Sequence, residues 1–284
     1  ETTGSSWEPA ENTETDEGEE EPSEDDEDTT PESWNRDEEE ETEPDDDTVE
    51  SGETDENEDE TYAYYPSSTA EKEIESIAAQ REKAYADTAD FLNTTATITI
   101  DLYLFPDAAT KEQETHHRGT GWAFDTVMVE IYNETVKCHP YHELVHVFAD
   151  TLYGATVSCF SEGLAVFVSE CLYNRDFGDS VNYNTDKKVK EFYKEGRLFS
   201  IKDLFSLQIG ESCSIPQVGY PQSASLVGYL YKILGKATFF ALYQDLQDVY
   251  SAKGVAQNIA IFESYLGTSV EQVNCDWLEN TIGI

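Results

Sequence analysis

Basic residues are scarce in this sequence: 17 Lys and Arg stand against 61 Asp and Glu over 284 residues, a formal net charge of −44. A chain of that sign repels phosphate backbones and anionic lipid, which argues against nucleic acid and anionic membrane surfaces as partners. No apolar run reaches 18 residues, so no segment reads as a membrane-spanning helix. There is no Cys-x-x-Cys spacing, which removes the zinc-ribbon and thioredoxin-type readings. The five cysteines (Cys138, Cys159, Cys171, Cys213 and Cys275) are an odd number, so at least one is unpaired within a monomer. Cys159 and Cys171 are not expected to pair, because most of the segment between them reads as helix and holds them too far apart for disulfide geometry. One or two bridges among the others stay open, as do five thiols.

The acids are not spread evenly. Residues 1–60 hold 31 Asp and Glu against the single base Arg36, which is −30 of the total −44. Their only aromatics are Trp7 and Trp34. So little apolar surface cannot offset the entropy of ordering the backbone, and the like charges repel. Residues 1–65 are therefore expected to be a disordered acidic linker. No regular Asp-x-Asp-x-Asp-Gly calcium loop occurs among these acids. Residues 66–284 are left as one domain of about 220 residues, enough for a single core.

Within that domain the apolar spacing predicts a helix over 68–92 and a Thr/Ile-rich strand over 95–105, ended by Pro106. Residues 107–120 are polar and loop-like. Gly121-Trp122-Ala123-Phe124 then leads into a second strand over 126–132, which could pair with an extended substrate if it edges a cleft. Pro140 opens a helix running to Tyr153, with Gly154 beyond its end. Ser161 reads as the N-cap of a mostly apolar helix over 162–173. Helical pattern returns over 187–194, with a short element at 201–207. A long helix or two over 222–243, interrupted near Gly235, and short helices over 258–265 and 270–281 follow, with Trp277 as a core anchor. Strands first and helices after give an α+β class, with a small N-terminal sheet and a mainly helical remainder.

The chemistry concentrates in His142-Glu143-Leu144-Val145-His146, an H-E-x-x-H motif on the helix that Pro140 opens. Four residues turn a helix by about 400°, so both imidazoles leave one face and reach one tetrahedral zinc ion at about 2.0–2.1 Å. Glu143 lies beside the metal without being a ligand, placed to take a proton from an attacking water. Two histidines leave a ligand position to fill. A metzincin would need Gly and His where Ala149 and Leu152 stand, which excludes that class. Asp150 shares the helix face but would have to touch the metal from a third turn; a hydrogen bond to a ligand imidazole suits it better. Glu162 is the stronger candidate, because it starts a helix that can fold back on the first.

His-Glu-Leu-Val-His, with Ser-Glu-Gly-Leu-Ala placing Glu162 16 residues after His146, resembles the gluzincin zinc metallopeptidases and, among them, the bacterial peptidase MA-like group. The likeness extends to Gly121–Tyr132, similar to the strand before the zinc helix, and to Tyr220–Leu230, similar to a later helix. It implies a zincin-like metallopeptidase domain with His142, His146 and Glu162 as ligands of one Zn2+, and Glu143 as general base. Some gluzincins carry an aspartate four residues after the ligand glutamate; Val166 stands there, and Asp150 is the candidate to support a histidine instead. The family also implies a donor for the oxyanion, for which Tyr220 is the first choice. His116 and His117 in the polar loop read as exposed, and His139 as structural.

The resemblance implies hydrolysis of peptide or protein substrates, with endopeptidase action favoured. A catalytically silent binding module on the same fold would be expected to lose a ligand or the base, and all four residues are present. The acidic, Thr/Ser/Pro-bearing segment also resembles the region after the lipid-anchored cysteine of Gram-positive lipoproteins. That likeness implies an exported, cell-surface protein with a possible lipid anchor upstream of residue 1.

Overall fold

Apolar residues at heptad-like spacing close the first helix onto the core. In α1 (Ser68–Leu92), Ala70, Ile77 and Ala84 recur every seventh residue and all are buried, with Leu92 completing the stripe. The structure is a computed structural model, in which residues 68–117, 119–137, 139–177, 184–209 and 216–283 are described. The acidic segment 1–65, Cys138 and Cys213 lie outside them.

Three strands form a mixed sheet in the order β1-β3-β2. β1 (Asp101–Phe105) runs parallel to β3 (Val127–Ile131), and β2 (Gly121–Phe124) runs antiparallel to it. The strand expected over 95–105 thus pairs only in its last five residues. The lead-in Gly121–Phe124 is a strand itself, joined to β3 by the two residues Asp125 and Thr126. Asp125 sits at φ 50°, the left-handed conformation a tight hairpin turn uses. Cross-strand pairing puts Gly121, Ala123, Met128, Glu130, Leu102 and Leu104 on one face.

The polar stretch 107–120 is not all loop. It holds α2 (Ala108–Thr115), whose N-cap Asp107 accepts a hydrogen bond from the Thr110 backbone N–H at 2.8 Å. An Asp immediately before an alanine pair is a sufficient start signal, and the polar composition of the helix hides it.

The helical remainder begins with α3 (His142–Tyr153) and α4 (Ser158–Phe177). It continues through α5 (Thr185–Lys194), α6 (Ile201–Leu204) and α7 (Pro216–Leu234). α8 (Lys236–Asp245), α9 (Ala252–Leu266) and α10 (Val270–Ile282) complete it. Gly235, at φ 72°, separates α7 from α8, as the interruption in the apolar pattern requires. α4 and α7 approach at Gly163: a Cβ there would fall 2.8 Å from the backbone oxygen of Ser223, so only glycine lets the two helices meet. Trp277 is fully buried, and its indole N–H donates to the Ser225 hydroxyl, which donates in turn to Asp186. This ties α10, α7 and α5 together. No helix among the described residues is long and apolar enough to cross a membrane.

Cys159, Cys171 and Cys275 are free thiols, and the expectation that Cys159 and Cys171 do not pair holds because both lie along α4. Burial pushes the Cys159 thiol up to about 12, whereas Cys275 is exposed. Since the thiolate is the reactive form, alkylation of the native protein is expected to label Cys275 rapidly and Cys159 only after unfolding. Peptide mapping of the labelled chain checks this, and native labelling of Cys159 at the rate of Cys275 would contradict the burial.

Candidate metal centre

The inner face of α3 is set by Leu144, Val145, Val147, Phe148 and Ala149, all buried. That leaves His142, Glu143, His146 and Asp150 on the face turned to a cleft of about 1220 Å³. The connection 154–157 is too short to do anything but reverse the chain, and α4 folds back along α3. Glu162, in the second turn of α4, then meets both imidazoles: its Oε2 lies 3.3 Å from Nε2 of His142 and 3.3 Å from Nε2 of His146.

That geometry fits zinc. Ligands bonded at about 2.0–2.1 Å to one tetrahedral ion stand about 3.3–3.4 Å apart, the spacing of both nitrogen–oxygen pairs. One donor atom from each of His142, His146 and Glu162 lies within 4.8 Å of the others. Two imidazoles and one carboxylate are also the donor types zinc prefers, and three protein ligands leave a position open. Burial alone would raise the Glu162 carboxyl, yet the facing His146 and His142 rings hold it below the ordinary carboxylate range. Burial likewise works to lower His146, and the Glu162 carboxylate, with smaller contributions from Glu143 and Asp150, overrides it and raises the ring to about 9. The cluster therefore draws a positive charge between its atoms, whether proton or metal ion.

Ser161 is not the N-cap expected of it. α4 begins one turn earlier, at Ser158, and the Ser161 hydroxyl lies 3.1 Å from Nδ1 of His146. A donor Nδ1–H to that hydroxyl fixes the tautomer in which Nε2 presents its lone pair to the cluster. The fully buried Tyr243 comes up behind Ser161. Asp150, expected to support a histidine, remains exposed at the cleft and acts on His146 through its charge alone. Val166 lines the cleft where some gluzincins carry an aspartate.

Glu143 lines the same cleft and stands outside the three-residue cluster, its carboxylate resting against Gly121 of β2. Tyr220 lies inside α7, one turn in from its start, not in a loop before it; its ring centroid is 6.2 Å from that of His142. The close approach at Gly163 that brings α7 onto α4 also brings Tyr220 beside His142. His139 is half-buried against Tyr173, with centroids 4.0 Å apart. Burial first, and then the charges of His142 and Arg81, lower its pKa to about 4, so it is a neutral packing residue. His116 is exposed at the C-cap of α2. His117 is half-buried instead of exposed: its ring stacks on Trp122 at 5.1 Å, and the buried Lys111 ammonium donates to its Nδ1 at 3.2 Å. Both line the cleft away from the cluster.

Two features escape a sequence reading. β3 is the central strand, so it is β2 whose outer edge, unpaired among the described residues, borders the cleft and could take up an extended chain. Beneath that edge, Glu130 of β3 is fully buried and forms an ion pair with Arg81 of α1. A lone acid in the strand Val-Met-Val-Glu-Ile was the available signal.

No protein-family model matches the chain, and no curated protein matches it. Among solved structures, an M1 zinc metallopeptidase from Deinococcus radiodurans is similar with a TM-score of 0.42 at 13% identity, over 70% of this chain and 43% of that one. A mutant M1 zinc metallopeptidase of the same organism gives 0.42 at 13%, over 71% and 44%. A mutant form bound to a Tyr-Ser-Ala substrate gives 0.41 at 14%, over 69% and 43%. The chain spans less than half the length of each of these structures.

Proposed function

We propose that this chain is a zinc-dependent metallopeptidase of gluzincin type that hydrolyses peptide bonds in peptide or protein substrates. The observation that carries this reading is the pair of 3.3 Å separations from one Glu162 oxygen to the two imidazole nitrogens, with Glu143 in the same cleft. His142, His146 and Glu162 would hold one zinc ion. When bound, zinc polarises a carbonyl and makes water acidic enough to ionise near neutral pH.

The chain's own residues divide the remaining work. Glu143 accepts the proton of the attacking water at its carboxylate and returns it to the leaving nitrogen. Tyr220 donates a hydrogen bond to the carbonyl oxygen as it gains charge. Ser161 keeps His146 in the tautomer that leaves Nε2 free. The outer edge of β2 aligns an extended peptide along the cleft, which favours endopeptidase action. The setting we propose, on the composition of residues 1–65 alone, is an exported protein held at the cell surface.

Zinc titration of the full chain tests the centre. One equivalent should bind, and His146→Ala should weaken it by more than the roughly 10–100-fold that loss of an outer hydrogen-bond partner costs. A native protein that binds no zinc, or a variant that binds as well as the parent, would sink the proposal. Incubation of the zinc-loaded chain with a mixed peptide library separates a peptidase from a silent binding module: cleavage products are expected, and peptide capture without cleavage would favour the module.

A further inference from the structure

We propose that Gly121 is a positioning residue that seats the Glu143 carboxylate; this rests on the reading of Glu143 as general base. A Cβ built on Gly121 would fall 2.3 Å from Oε1 of Glu143, 3.0 Å from Cδ and 3.1 Å from Cγ. The carboxylate therefore occupies the volume in which any other residue of β2 would carry its side chain.

The backbone gives no competing reason for glycine. Gly121 lies in a regular strand paired to Glu130, and it is not among the glycines at positive φ. Glycine inside a strand weakens it relative to alanine, so its presence here has a local cost that the vacated space must explain. The next residue on the same strand face, Ala123, is also small, and this face of β2 packs against α3. Beneath the seat, cross-strand pairing places the buried Glu130 with its partner Arg81. A carboxylate displaced by a new methyl group finds that side filled by the buried Glu130 carboxyl, which leaves the cleft as its way out.

The atom in conflict is the far end of a flexible side chain, so an alanine at 121 is tolerated by rotation of Glu143 and not by rebuilding the strand. The fold survives and the base is misplaced. Displacement of a reacting group by about 1 Å is enough to cost on the order of 100-fold in rate.

The test is a four-member cycle of the zinc-loaded full chain: parent, Gly121→Ala, Glu143→Ala and the double variant. Gly121→Ala should lower kcat by about 10- to 100-fold, with KM within about twofold and zinc stoichiometry unchanged. In the Glu143→Ala background the same substitution should cause no further loss. Thermal unfolding gives a readout independent of hydrolysis. Gly121→Ala should lower Tm in the parent, and should leave it unchanged or raise it once the Glu143 side chain is gone. Equal Tm changes in the two backgrounds, or full activity of Gly121→Ala, would overturn the seat. If the parent chain cleaves nothing, the peptidase reading fails, while the Tm cycle still decides whether Gly121 and Glu143 compete for one volume.

Discussion

Glu143→Gln is expected to lower kcat for peptide hydrolysis by about 10²- to 10⁴-fold while the zinc stays bound. Glutamine keeps the shape of the side chain and its place against Gly121, so neither α3 nor the cleft is disturbed. What it removes is the capacity to accept a proton at the oxygen facing the cleft. The three candidate ligands are His142, His146 and Glu162, and Glu143 is not one of them. Metal content measured on the same preparation should therefore equal that of the parent. Kinetics of the pure variant on any peptide the parent cleaves checks both halves. A variant that loses zinc along with activity would make Glu143 a ligand or a folding residue, and one that retains full activity would remove it as the base.

The parts of this site that the sequence reveals are those built from spacing along one helix or across one short turn. His142 and His146 share a face because four residues are close to one turn, and Glu162 follows because the connection after Gly154 can only fold back. The parts it hides come from contacts between distant segments. Arg81 and Glu130 are 49 residues apart and meet only because β3 is the central strand, a topology that strand patterning does not specify. Ser161 looks like a cap because it precedes an acid, and the true helix start at Ser158 turns its hydroxyl onto His146 instead. Gly121 reads only as the lead-in to a strand until β2 is seen to pair and Glu143 is seen above it. Local period thus places the ligands, while the hydrogen bonds and empty volumes that aim them depend on packing that no single segment determines.

The Arg81–Glu130 pair gives the largest expected effect on stability. Both side chains are buried, at 7% and 0% exposure, so each has lost its water and relies on the other. Arg81→Met is expected to destabilise the fold increasingly as pH rises above 7, because it takes the compensating charge away from a buried carboxyl that must then either ionise unpaired or hold its proton against the solvent. The sign of the pH dependence follows from Glu130. Burial, partly offset by Arg81 and reinforced by the charge of Glu143, raises its pKa from 4.5 to about 7. The folded state thus keeps a proton that the unfolded chain releases near 4.5. The stability linked to that proton is fully present below pH 4.5 and is lost as pH rises through 7. Without Arg81 the carboxyl holds its proton to still higher pH. The difference between variant and parent should then stay level from pH 5 to about 6.5 and grow from pH 7 to pH 8, in denaturant titrations of preparations with matched metal content. Replacing both partners, Arg81→Met with Glu130→Gln, removes the orphaned charge and should recover most of the loss, with a flatter pH dependence. A single variant as stable as the parent at pH 8 would mean that Glu130 is not desolvated, and the floor beneath Gly121 and Glu143 would have to be wetter than the structure has it.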